Sequence, residues 1–101
     1  MTTPLLHDRA RVATDRPDRY RKQLGSHLGR RITLAEEETV STLTFEAGTA
    51  TLTEADGALV LDAVAQDQES LDRIRDVVGG HLERFGERDG LVVTWAPADA
   101  G

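Results

Sequence analysis

The sequence of 101 residues contains no cysteine, only 4% aromatic residues and no long hydrophobic run. The lack of cysteine excludes disulfide bonds, thiolate nucleophiles and every zinc or iron–sulfur site built on cysteine. The longest aliphatic run, Ala58 to Leu61, is far shorter than the roughly 20 residues that span a bilayer. The start of the chain has no apolar stretch of signal-peptide length, so we expect a cytoplasmic protein that does not bind membranes.

The composition indicates one small acidic domain without a recognisable catalytic motif. A net charge of −6 accompanies 39% hydrophobic residues. The sequence has no phosphate-binding glycine loop, no His-Glu-x-x-His pair and no calcium-binding loop. We therefore expect a non-enzymatic binding or accessory module, with a second copy of the chain or another protein as its partner.

Alternating apolar residues predict most of a β-sheet. Between residues 31 and 64 they recur at every second position, which predicts four strands with one covered face. The Asp56-Gly57 pair predicts a tight hairpin between the last two of these strands. Further strands are predicted at residues 9–14 and 91–95. Because the connections between the four central strands are short, we expect those strands to pair antiparallel.

Two helices separate these strands. The first follows an N-cap candidate at Asp15 and carries Tyr20, Leu24 and Leu28 at every fourth position, and the second begins at the N-cap candidate Asp67. The order βαββββαβ predicts an α+β two-layer sandwich, with two helices on one face of a mostly antiparallel sheet. We expect one domain over residues 9–95 and flexible tails at 1–8 and 96–101, because the tails lack periodicity.

The two helices share a repeated sequence pattern. When residues 18–30 are aligned with 72–84, seven of the 13 positions are identical, including Gly25 with Gly79 and His27 with His81. This similarity predicts an ancestral strand–helix duplication with a pseudo-two-fold axis. A glycine inside a helix costs about 1 kcal/mol relative to alanine, so we also expect the helices to approach each other or the sheet closely at these glycines.

The repeated histidines, His27 and His81, are candidate ligand-binding residues. Helix geometry places each on the flank of its apolar stripe. A symmetric imidazole pair could bind a metal, clamp a haem or act as acid and base, which would make the chain a small metal- or haem-binding protein or enzyme. Alternatively, each ring packs against its neighbours and hydrogen-bonds a carbonyl or water. The sequence assigns neither a metal nor a cofactor.

Two repeated arginines, Arg21 and Arg75, are further candidates for ligand binding. Each lies on the flank of its apolar stripe opposite the histidine, where the guanidinium could hold an anionic ligand through two hydrogen bonds. The alternative is an ion pair in solvent with an acidic residue of the same protein. The sequence leaves both interpretations open.

Basic and acidic residues are unevenly distributed. Residues 1–31 hold eight bases and three acids, whereas residues 32–101 hold four bases and 15 acids. Nucleic-acid binding is not expected, because Tyr20 is the only aromatic residue of the basic part and the remainder would repel a polyanion. We expect the basic residues to pair with acidic neighbours such as Glu36, Glu37 and Glu38.

Several segments together resemble a family of small uncharacterised bacterial proteins, the domain of unknown function DUF2218. The residues that carry the resemblance are Arg11-Val12-Ala13-Thr14-Asp15-Arg16-Pro17, Arg19-Tyr20, Gln23-Leu24, His27, Asp56-Gly57-Ala58-Leu59, His81-Leu82-Glu83-Arg84-Phe85, Arg88-Asp89 and Leu91-Val92-Val93-Thr94-Trp95. The resemblance covers the whole domain but implies no catalytic residue. It implies a genomic context beside siderophore-interacting and iron-uptake proteins, and hence an expected link to iron handling.

Overall fold

The computed structural model describes residues 5–98 and has the predicted element order βαββββαβ. The elements are β1 (Leu6–Ala13), α1 (Pro17–Leu28), β2 (Thr33–Glu36), β3 (Val40–Thr44), β4 (Gly48–Ala55), β5 (Ala58–Ala65), α2 (Gln68–Phe85) and β6 (Ala96–Pro97). A short 3-10 turn, Glu87–Asp89, follows α2. No helix in this part of the chain is long and apolar enough to cross a membrane.

The strands form one six-stranded sheet in the order β2-β3-β4-β5-β1-β6, and every neighbouring pair is antiparallel. The predicted hairpin joins β4 to β5, where Gly57 has φ +72°, a left-handed conformation that glycine adopts without strain. Both helices pack on the same face and bury the aliphatic side chains of the sheet. The predicted α+β sandwich is therefore confirmed.

The second face of the sheet carries no helix. We call it the open face. Its residues in the four long strands include His7, Arg9 and Arg11 of β1, Val40, Thr42 and Thr44 of β3, Thr49, Thr51 and Thr53 of β4, and Val60, Asp62 and Val64 of β5. These positions alternate with buried ones, as expected for a sheet that is covered on one side.

The structure extends the domain beyond the predicted boundaries 9–95. Strand β1 begins at Leu6, and its whole length pairs with β5. At the other end, Ala96 and Pro97 form β6 beside Arg9 and Asp8. The segments 6–8 and 96–97 were predicted as tails because they lack a strong apolar pattern, but backbone hydrogen bonds to β1 and β5 are independent of side-chain pattern. Residues 1–4 and 99–101 of the predicted tails lie outside the described residues.

The strand predicted at residues 91–95 is not part of the sheet. This extended segment lies against α2 instead: the backbone N–H of Val93 donates to the Glu83 carboxylate over 2.9 Å. A Cβ built on Gly79 would lie 3.0 Å from the Trp95 indole nitrogen, so the glycine allows this close approach. The apolar alternation of the segment reflects packing of Leu91, Val93 and Trp95 on the core, which does not require strand pairing.

The predicted N-cap of α2 is confirmed, whereas the predicted N-cap of α1 is wrong. Asp67 caps α2 as predicted, accepting a 2.7 Å hydrogen bond from the Ser70 backbone N–H. Asp15 is not the cap of α1; Arg16 occupies that position without a side-chain cap. Pro17 follows at the first helical position, where its missing N–H leaves one donor fewer to satisfy.

A candidate binding groove between the helices

The two repeated histidines meet between the helices. His27 is the penultimate residue of α1, and His81 lies four residues before the end of α2. Their ring centres are 5.0 Å apart with planes tilted by 42°. At the other end of α1, the Tyr20 hydroxyl contacts Asp89 beyond α2, so the helices run antiparallel. This antiparallel packing brings the two repeat-related positions into contact.

Phe85 completes a small aromatic cluster around the pair. Its ring meets His27 edge-on, with centres 5.3 Å apart and planes at 82°, and lies 6.2 Å from His81. Edge-to-face packing of this kind is a favoured aromatic arrangement and restricts the orientation of the His27 ring. The histidines are thus held by both helices.

A backbone contact fixes which nitrogen of His81 is free. Its Nδ1 lies 2.6 Å from the carbonyl oxygen of Val77, one turn earlier in α2. Because a carbonyl only accepts hydrogen bonds, Nδ1 must carry the proton and donate. In the neutral ring, Nε2 then keeps a lone pair that can accept a hydrogen bond or bind a metal.

The histidines line a groove of about 500 Å³ whose other lining residues are apolar or basic. Leu28, Ile32 and Val77 provide apolar surface, and the exposed Arg30 and Arg31 follow the end of α1. No carboxylate lines this groove, although the protein carries a net charge of −6. The groove therefore combines apolar walls with basic groups, an arrangement suited to a small organic anion.

The end of α1 would oppose an anion if its carbonyl groups were unpaired. Two of them are occupied. The Gly25 carbonyl accepts from the Gly29 N–H over 2.7 Å, and the Leu28 carbonyl accepts from the N–H groups of Arg31 and Ile32 over 3.1 and 3.0 Å. These hydrogen bonds reduce the negative potential that the helix end presents to the groove.

Arg21 lies outside the groove and is bonded to the sheet. It is 4% exposed; its Nε donates to Glu54 over 2.6 Å and its Nη1 to the Ser41 hydroxyl over 2.8 Å. Its third nitrogen donates to the Glu38 carbonyl over 3.2 Å. The guanidinium is thus buried and bonded to groups of the same protein.

Arg75 is similarly bonded, on the opposite half of the sheet. Its Nη1 donates to Asp8 of β1 over 2.8 Å and lies 3.6 Å from Asp72. The guanidinium also lies 6.0 Å from the centre of the Trp95 ring, within cation–π range. The structure therefore brings together His27 and His81, but not Arg21 and Arg75.

Repeat-related residues make related contacts. Arg21 and Arg75 each pair with a carboxylate on the helix side of the sheet. A Cβ built on Gly25 would contact Leu34 of β2 at 3.6 Å, and one built on Gly79 would contact the Trp95 indole nitrogen at 3.0 Å. These parallels agree with the predicted duplication, which itself stays a prediction.

Sequence reasoning missed Arg30, Arg31 and Phe85 as neighbours of the histidines. Arg30 is one of the seven repeated identities, so the alignment contained a signal for it. The alignment contained no such signal for Arg31 and Phe85. The position of Arg31 depends on the path of the chain after α1, and that of Phe85 depends on how α2 packs. His7 was assigned to a tail, yet its ring bonds Asp62 of the open face over 2.7 Å.

Other parts of the described structure offer weaker sites. A cavity of about 390 Å³ near the start of α2 includes Glu46 and Asp67, and the Asp67 carboxylate is already used as the helix cap. Residues 5–98 contain no cluster of three or more His, Cys, Asp or Glu side chains that could hold a metal. A metal on His27 and His81 would therefore need further ligands from water or from a bound molecule.

The family model for an uncharacterized protein conserved in bacteria, DUF2218, matches residues 9–96. Among solved structures, the NMR structure of PA4090 from Pseudomonas aeruginosa matches with a TM-score of 0.78 and 22% sequence identity. The match covers 94% of this chain and 99% of that one. No curated protein matches the chain.

Proposed function

We propose that this chain, which belongs to the bacterial DUF2218 family, is a small non-enzymatic binding module whose ligand site is the groove of His27 and His81. The ligand class is a small organic anion that carries a carboxylate or phosphate. The observation that carries the proposal is the grouping of two arginines and two imidazoles, without a carboxylate, in a protein of net charge −6.

Local charge supports an anionic ligand. Arg30 and Arg31 are both exposed and form no ion pair within residues 5–98, so their guanidinium donors are available to a ligand. Arginine binds carboxylate and phosphate oxygens through two parallel hydrogen bonds. The apolar lining would cover the carbon skeleton of the same molecule.

The biological setting of the proposal is an accessory role in iron or siderophore metabolism in the cytoplasm. This setting rests on the family resemblance alone. It makes ferric citrate, an iron chelate rich in carboxylates, a specific probe beside citrate and inorganic phosphate.

A second candidate function is binding of a transition-metal ion by the histidine pair. Two imidazoles on one tetrahedral metal have ring centres roughly 5 Å apart when the metal–nitrogen bonds are about 2 Å, which fits the observed contact. The free Nε2 of His81 favours this candidate. Haem is less suited, because its two axial imidazoles lie on opposite sides of the macrocycle and cannot touch each other.

Isothermal titration calorimetry separates the two candidates. For the anion site, we expect citrate or phosphate to bind the wild type, and the double variant Arg30→Gln, Arg31→Gln to lose at least about tenfold in affinity. For the metal site, Zn²⁺ should bind the wild type and the arginine variant equally and be lost in His27→Ala, His81→Ala.

The matched control is Arg73→Gln, which removes an exposed arginine of α2 that lies away from the groove. Equal anion affinity in the control and the wild type is expected. Failure of citrate, ferric citrate and phosphate to bind at millimolar concentration would refute the anion proposal, and failure of Zn²⁺ would refute the metal alternative.

A further inference from the structure

The open face is a second surface of the molecule, separate from the groove because the helices cover the other side of the sheet. Its only carboxylate within the strands, Asp62, is already paired: it accepts hydrogen bonds of 2.7 Å from both His7 and Arg9. The centre of the face otherwise consists of threonine and valine side chains. This central part of the face can be covered without burying an unpaired charge.

The size of the open face suits a protein interface. Six strands spaced by about 4.8 Å, with the longest spanning eight residues at about 3.3 Å each, give a projected area of roughly 600 Å². The accessible area of a pleated surface is larger than its projection. Each partner in an ordinary specific complex buries about 800 Å², so this face is of the right order.

Unpaired charges of opposite sign lie at one end of the strands. Arg11 of β1 is exposed and donates to the backbone carbonyl of Asp56, with no ion pair in the described part of the chain. It shares a row across the sheet with Val60, Thr53 and Val40. The row ends at the turn after β2, where residues 37–38 are two exposed glutamates without ion pairs among residues 5–98.

We propose that the open face is the interface of a homodimer, in which two sheets stack about a two-fold axis parallel to the strands between β4 and β5. The sheet order then places β1 of one copy over β3 of the other. Arg11 of each copy lies beside the turn of Glu37 and Glu38 of the second copy. The edge of β1 next to Arg11 has room for that turn, because β6 pairs only with Asp8 and Arg9.

Charge also selects this axis over the perpendicular one. A two-fold axis across the strands would place β1 over β1 and stack Arg9 and Arg11 against their own copies, which like-charge repulsion disfavours. Along the chosen axis, each interface contains two contacts between Arg11 and the acidic turn. Stacked sheets with aligned strands are a common packing arrangement.

Sedimentation velocity over a range of concentrations tests the dimer. The wild type should dimerise, and Val60→Glu, which places a charge on β5 beside the proposed two-fold axis, should weaken the dimer by at least about tenfold in Kd. Val92→Glu is the matched control, because Val92 is 68% exposed and lies outside the strands. Circular dichroism at matched concentrations shows whether each variant keeps the fold.

A charge exchange tests the axis. Arg11→Glu, and separately Glu37→Lys with Glu38→Lys, should each weaken the homodimer about tenfold through repulsion of like charges. An equimolar mixture should form heterodimers near wild-type affinity, because both contacts become attractive again. Heterodimers no tighter than the variant homodimers would overturn the proposed axis.

Two results would overturn the dimer through this face. One is a wild type that stays monomeric at about millimolar concentration; the other is a dimer that Val60→Glu leaves unchanged. Neither result bears on the ligand groove, which lies on the opposite side of the sheet.

Discussion

At the scale of single residues, Tyr20 ties the start of α1 to the turn after α2. Its ring is buried, and its hydroxyl donates a 2.5 Å hydrogen bond to the carboxylate of Asp89. This hydrogen bond, together with burial and the negative charge of Asp89, raises the pKa of Tyr20 above its ordinary value. The protonated phenol is therefore the form that stabilises the fold.

Replacing this phenol gives a prediction with a defined pH dependence. Tyr20→Phe should lower the free energy of unfolding by about 1 kcal/mol near pH 8, because water can replace the lost donor at the exposed Asp89. The folded pKa lies above the unfolded one, so the contribution of Tyr20 is complete below about pH 10 and is lost as the pH rises further. Urea unfolding at pH 8 and above pH 10 should show the difference between wild type and variant shrinking.

An equal difference at both pH values would contradict this account of Tyr20. Few other side chains titrate in this pH range, because the chain has a single lysine, Lys22, and arginine stays charged. A change in stability above pH 10 can therefore be assigned to Tyr20 by comparison with the variant.

The sequence predicted the positions of these polar residues better than it predicted their partners. The repeat identified His27 and His81, and helix geometry placed Arg21 on the flank of the apolar stripe opposite His27, but it did not predict that Arg21 would be buried at 4% exposure. The carboxylate that holds Arg21, Glu54, is 33 residues distant in sequence. Such a pairing depends on the order of strands in the sheet, which local periodicity does not encode.

At the scale of elements, the repeated glycines meet different surroundings. A Cβ on Gly25 would make ordinary contacts of 3.5 to 3.7 Å, whereas one on Gly79 would lie 3.0 Å from the Trp95 indole nitrogen and 3.2 Å from a Val93 methyl. The expectation that close approaches compensate for helical glycine therefore fits Gly79 better than Gly25.

This contrast predicts opposite responses to substitution. Gly25→Ala should raise the free energy of unfolding by up to about 1 kcal/mol, because alanine favours the helix and has room. Gly79→Leu should lower it by about 2 kcal/mol, since the side chain must displace Trp95 and Val93. Thermal and urea unfolding of both variants measure the effect, and tryptophan fluorescence reports on Trp95, the only tryptophan. A Gly79→Leu variant as stable as wild type, with unchanged fluorescence, would refute this packing argument.

Helices and strands with a clear periodicity of apolar residues were predicted well. Segments whose structure depends on contacts with a neighbouring element were not. The helices and the four central strands follow from periodicity and from the Asp56-Gly57 turn. The segment 91–95 has strand-like alternation but lies on α2, because the Glu83 carboxylate takes the Val93 N–H. The two-residue strand β6 forms through pairing with β1 alone.

At the scale of the whole molecule, ion pairs across strands and between helix and sheet compensate only part of the basic charge of residues 1–31. Arg9 pairs with Asp62, and Arg21 pairs with Glu54. Of the glutamates predicted as partners, only Glu36 has its carboxylate near a base among residues 5–98, 3.9 Å from Arg21. Arg30 and Arg31 are among the bases without an ion pair within residues 5–98, and they border the groove and leave it basic in an acidic protein.

The two sides of the sheet then have separate proposed roles. The helix side carries the groove for a small anion, and the open face carries the dimer contact. A dimer of this kind would hold two grooves on its outer surfaces, both accessible to ligand.

The most direct test of the groove is an NMR titration of the three imidazole groups with citrate at constant pH. The chain contains three histidines, and His7 lies on the open face, paired with Asp62, which makes it an internal reference for drift in pH or ionic strength. The account predicts saturable shifts of the His27 and His81 signals with an unchanged His7 signal. No shift at His27 and His81, or an equal shift of all three signals, would contradict it.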